Sequence, residues 1–143
     1  MDHIKDLLQF LDNSPVNFLA TETICQRLVD AGFERLNACE KLDNIKPGRQ
    51  FFFTKNDSSV YAFRIGSEPL SEAGFHVICA HCDSPTFRIK PNAEMTGEGG
   101  IVRLNTEVYG GPIMSTWFDR PLTIAGRVIV RSEDVMCPAT KLL

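Results

Sequence analysis

The segment Ala80-His81-Cys82-Asp83-Ser84-Pro85 places an imidazole and a carboxylate two positions apart, directly after the apolar run His76-Val77-Ile78-Cys79-Ala80. In extended backbone, side chains at i and i+2 project to the same side. His81 can therefore bind a metal ion through one ring nitrogen while Asp83 holds the other, fixing the geometry and raising the basicity of the ligand. The same spacing also serves a histidine that is hydrogen-bonded for purely structural reasons, and spacing alone does not separate the two. Open α/β sheets collect ligands at strand ends, where loops converge on one crevice.

Cys79 and Cys82 form a C-x-x-C spacing around the same histidine. A thiol-redox pair of this kind needs its first cysteine at a helix N-terminus, where the dipole lowers the thiol pKa, whereas Cys79 lies within an apolar run. A structural zinc site would require two further ligands at close spacing, and the sequence offers none there. His76 has the opposite pleat parity to His81 and reads as structural, and His3 sits among charged neighbours as a solvated residue. Trp117, Asp119 and Arg120 could mark a ligand site, but a packing role suits them better, with the indole as an anchor and the charges fixing a turn.

Ile4, Leu7, Leu8 and Leu11 follow helical spacing and predict a helix over residues 2–11 with one buried stripe. Asp12-Asn13-Ser14-Pro15 ends it. A second helix is expected from Asn17 to Ala31, with Gly32 supplying the left-handed terminating conformation. Pro47-Gly48 marks a turn, Phe51-Phe52-Phe53 a strand, Asn56-Asp57-Ser58-Ser59 a second turn, and Val60 to Ile65 a strand pairing back. The run His76 to Ala80 has the pattern of a strand buried on both faces. Residues Asn92 to Gly100, with three glycines, read as a linker or exposed loop, and Val102 to Val108 and Leu122 to Val130 as strands. The composition change places a domain boundary near Pro91.

The chain has 143 residues, 43% of them hydrophobic and 23% charged, with a formal net charge of −3. This is the balance of an ordinary globular domain. The basic residues form no stripe interleaved with aromatics, so nucleic acid is not an expected partner. The apolar runs are too short to span a membrane, and the acidic, amphipathic start lacks the form of a signal peptide, so a cytoplasmic location is expected. Five cysteines, Cys25, Cys39, Cys79, Cys82 and Cys137, are an odd and irregular set that points to free thiols.

The hexapeptide from Ala80 to Pro85 resembles the Ala-His-Thr-Asp-Ser-Pro signature of the aspartyl aminopeptidase family of metallopeptidases. Asn13-Ser14-Pro15, Pro47-Gly48, the stretch Asn56 to Gly66, Val108-Tyr109-Gly110-Gly111, Trp117 to Arg120 and Gly126-Arg127-Val128 are similar to further family segments in the same order. The resemblance implies that His81 is a zinc ligand and Asp83 the catalytic residue supporting it. Cys82 stands where the family usually has threonine, which adds a thiol but leaves both residues in place.

The resemblance also implies an α/β fold: an incomplete metallo-aminopeptidase catalytic sheet with helices over residues 1–91, then the start of an inserted β-rich dimerisation domain over 92–143. It implies two zinc ions in the complete enzyme, peptide substrates with acidic N-terminal residues favoured, and a homo-oligomer built from dimers, a dodecamer when complete. The remaining metal ligands and the general base would lie outside this chain, which would be inactive alone. Two other readings stay open: a non-catalytic oligomerisation or binding fragment, and a C-x-x-C thiol-redox protein.

Overall fold

The computed structural model describes residues 2–39, 41, 45–133, 136 and 138–143. These form two compact units, one of residues 1–83 with 124–143, the other of residues 84–123.

The first unit starts with helix α1, His3–Asp12, whose N-terminus is capped by the Asp2 carboxylate accepting from the Lys5 amide. Helix α2, Asn17–Asp30, follows. Gly32, at φ 83°, closes it. Its amide donates to the Val29 carbonyl and the Phe33 amide reaches back to Leu28, the paired bonds of a glycine-terminated helix. Arg27 joins the two helices by gripping the Asp6 carboxylate with both terminal nitrogens, at 3.1 and 2.9 Å. Its guanidinium also lies 5.0 Å from the Phe10 ring.

The expected buried stripe on α1 is instead open. Ile4, Leu7, Leu8 and Leu11 are each more than half exposed, because no other described element packs over that face.

Strands β1, Glu34–Arg35, β2, Gln50–Lys55, and β3, Ser59–Arg64, form one sheet with β2 in the middle. β1 runs parallel to β2, and β3 pairs antiparallel in unbroken register from Gln50↔Arg64 to Lys55↔Ser59. Asn56 and Asp57, at φ 54° and 52°, make the turn, closed by the Ser58 amide donating to Lys55. Two successive left-handed residues match the twist of a hairpin. Helix α2 packs on this sheet.

Phe51 is 1% exposed and Phe52 0%. Successive strand residues face opposite sides, so both faces of the sheet are covered at β2. Burying each ring contributes roughly 1.5 to 3 kcal/mol. Phe51 packs against Phe63 at 5.7 Å between centroids, and Phe53 stacks on Tyr61 at 4.8 Å. Arg49 pairs with Glu34 across the sheet.

The expected strand over His76 to Ala80 does not form. After the short helix α3, Leu70–Ala73, residues 74–80 adopt no regular structure and are all exposed, Ile78 at 98%. A buried strand needs a hydrogen-bonded neighbour on each side, and none among the described residues pairs with this segment.

At the far end of the chain the expected strand over Leu122 to Val130 is confined to β6, Arg127–Val130, paired antiparallel with β7, Ala139–Leu142. Pro121 and Gly126 bracket the irregular stretch before it.

The second unit is a hairpin of β4, Thr86–Thr96, and β5, Val102–Tyr109. The expected loop over Asn92 to Gly100 is therefore largely strand. The register slips between Ile89 and Glu94, beside Pro91, which has no amide to give to a ladder. Asn105 compensates by donating its side-chain amide to the Asn92 carbonyl at 3.1 Å. The reversal is made by residues 97–101, with Gly99 and Gly100 at positive φ. Trp117 meets Phe87 edge to face at 5.1 Å, and Arg120 donates to the Thr116 carbonyl across a turn in which Asp119 is left-handed.

Candidate functional site

His81 and Asp83 come together as their spacing predicts, although the backbone carrying them is irregular. The Nδ1 atom of His81 lies 3.0 Å from Oδ1 of Asp83. An ionised carboxylate only accepts, so Nδ1 carries the proton in the neutral ring and Nε2 keeps its lone pair. The histidine side chain is 91% exposed and the aspartate 34%. The imidazole is therefore oriented from behind by a partly sheltered carboxylate and presents its basic nitrogen outward.

The pair lies on an open crevice of about 890 Å³. One wall is the β2–β3 hairpin, through Phe53, Tyr61, the turn residue Ser58 and Ser59 at the start of β3; Asn17, the first residue of α2, adds another, and Phe75 with Val77 to Asp83 completes it. No local signal marks the wall residues of the hairpin and of α2. Their side chains are of ordinary types, and they reach the site only through tertiary contacts spanning tens of positions.

A neutral imidazole with a carboxylate on its second nitrogen is the donor arrangement of a zinc-binding histidine. It supplies one ligand. Among the described residues no group of three or more histidine, cysteine or acidic side chains could hold a metal ion. His76 does not join the crevice lining, and it shares no hydrogen bond or ion pair with His81.

Cys25, Cys39, Cys79 and Cys82 are all free, and Cys137 lies outside the described residues. Cys79 is exposed and Cys82 half-buried, both on the crevice. Cys25, on α2, has its thiol pKa pushed up by burial, which outweighs the nearby Arg35 cation. Cys79 begins no helix, which leaves a redox pair without the dipole that would activate it.

The chain is 52% identical over 139 residues to a protein of Clostridium novyi (strain NT) named "Probable M18 family aminopeptidase 2", an alignment covering 97% of this chain and 32% of that one. The chain thus spans about a third of the length of this relative. Among solved structures, one described as a cryo-EM structure of the Ape4 and Nbr1 complex matches with a TM-score of 0.87 at 37% identity, over 96% of this chain and 26% of its own. The S. cerevesiae mApe1 dodecamer matches with a TM-score of 0.87 at 25% identity, over 99% and 33%. The sequence profile described as "Aminopeptidase I zinc metalloprotease (M18)" covers residues 10–140. With a profile match over nearly its entire length, the chain belongs to the aminopeptidase I zinc metalloprotease (M18) family.

Proposed function

We propose that the protein is a zinc-dependent aminopeptidase that removes N-terminal residues from peptides, acidic ones preferentially, with His81 as a zinc ligand through Nε2 and Asp83 as the catalytic residue behind it. The observation that carries this reading is the 3.0 Å contact between His81 and Asp83 at an exposed position on an open crevice. Family membership supports it.

Asp83 holds the imidazole in the tautomer that leaves Nε2 free and strengthens it as a donor. The crevice walls would hold the peptide's N-terminal end beside it. Zinc, when bound, supplies Lewis acidity that lowers the pKa of a coordinated water and polarises the scissile carbonyl. The protein would carry two zinc ions, with the other ligands and the general base contributed by the length of polypeptide that its relatives have beyond this region. The 143-residue chain by itself is then expected to be inactive, since its described residues offer no complete ligand set.

We further assign the protein to the cytoplasm, as a homo-oligomer built from dimers and reaching a dodecamer. The dodecameric S. cerevesiae neighbour supports the assembly. Residues 1–91 would belong to the catalytic domain and 92–143 to the start of an inserted β-rich dimerisation domain.

The test is zinc content by atomic emission together with release of N-terminal aspartate, glutamate and leucine from short peptides, for the protein at the full length of its gene. His81→Ala is expected to lose zinc and to lower kcat/KM by at least about 10²-fold. Unchanged metal content and turnover in that variant would exclude the assignment.

A further inference from the structure

Arg127 is the first residue of β6, far in sequence from His81, yet it touches residues that adjoin two walls of the crevice that His81 and Asp83 line. Its Nη1 donates to the Asn56 carbonyl at 3.0 Å, across 71 positions of sequence. The same guanidinium lies 4.1 Å from the centroid of the Phe18 ring. Asn56 opens the turn that carries Ser58 and leads into Ser59 of β3, and Phe18 follows Asn17 in the first turn of α2. Asn17, Ser58 and Ser59 all line the crevice.

We propose that Arg127 is a positioning residue for peptide binding: one guanidinium sets the separation of the α2 wall from the β2–β3 turn wall. The inference rests on the aminopeptidase reading of the crevice. Both contacts suit the guanidinium group, a planar cation that stacks on an aromatic face with its centre while donating from its rim. The turn benefits from such a tie. Asn56 and Asp57 are both left-handed, a conformation that asparagine and aspartate tolerate better than other non-glycine residues, and an external donor on the Asn56 carbonyl adds to that preference over alternatives that would move Ser58 and Ser59. Arg127 shares no hydrogen bond or ion pair with His81 or Asp83, so its removal should loosen the walls and leave that pair as it is.

The test compares wild type with Arg127→Met, which keeps the stem and loses the charge and donors, and Arg127→Lys, which restores one cation and its donors. In the zinc-loaded protein at full gene length, Arg127→Met is expected to raise KM about 3- to 10-fold, with zinc content and kcat unchanged and with Arg127→Lys recovering most of the loss. Amide exchange across residues 56–59 should accelerate in the methionine variant. Unchanged exchange overturns the proposal whatever the activity, and so does a lowered Tm with KM unaltered, which would make the contact merely structural. Loss of zinc in Arg127→Met also overturns it, by placing the residue in the metal centre's own support. A wild-type protein that binds no zinc and cleaves no peptide would instead defeat the aminopeptidase reading, while the exchange comparison still judges the tie.

Discussion

Two apolar runs of similar character meet opposite fates in this molecule. Phe51-Phe52-Phe53 enters the middle of a three-stranded sheet and buries two consecutive rings almost completely, whereas Phe75 to Ala80, equally apolar, lies open and without regular structure. Side-chain type does not separate them. The first run has a hairpin partner in β3, with Phe51 facing Phe63 and Phe53 facing Tyr61, reached through a turn whose residues favour it, and β1 on its other side. The second has no strand neighbour among the described residues. Hydrophobicity makes burial favourable, but a strand also needs its amides and carbonyls paired.

The packed run is most sensitive at Phe52. Phe52→Ala should destabilise the chain by about 3 to 5 kcal/mol in urea unfolding, through lost burial and the cavity left behind. A change below about 1 kcal/mol would mean that the sheet centre is as loose as the open segment.

Thiol chemistry sharpens the contrast with a smaller effect. Cys25 lies on the packed side and Cys79 in the open run. Burial raises the Cys25 pKa, so less of it is thiolate at neutral pH, and its alkylation should lag behind that of Cys79 and continue to gain rate at higher pH than an ordinary thiol. Iodoacetamide labelling read by mass spectrometry checks this, and equal rates would show that the inner side of α2 opens readily.

Smallest of all should be Ile78→Ala, expected within about 0.5 kcal/mol of wild type because the side chain is 98% exposed. A loss above about 1 kcal/mol would show that the segment is covered in solution.

Local chemistry made the first part of the fold legible. The spacing of Ile4, Leu7, Leu8 and Leu11 located α1, Gly32 located the end of α2, and Asn56-Asp57 located the hairpin turn, because each of these signals acts within a few residues. Reading stopped where the outcome depends on distant partners. The stripe on α1 and the run before His81 announce burial, but what would cover them is not encoded nearby. Pro91 and the glycines after it suggested a loop, while the structure absorbs the proline in a register slip of β4 and uses the glycines only for the reversal. At the site, His81 and Asp83 were visible because their relation is two residues long, and Arg127 was hidden because its relation to Asn56 is 71 long.

That separation has a consequence for biosynthesis. A ribosome emits Asn56 and the turn around it well before Arg127 exists, and at about 5 to 20 residues per second the delay is roughly 4 to 14 seconds. Throughout that interval the nascent hairpin must hold two left-handed residues without their later clasp, so the pocket wall is completed only when a distant part of the message has been translated.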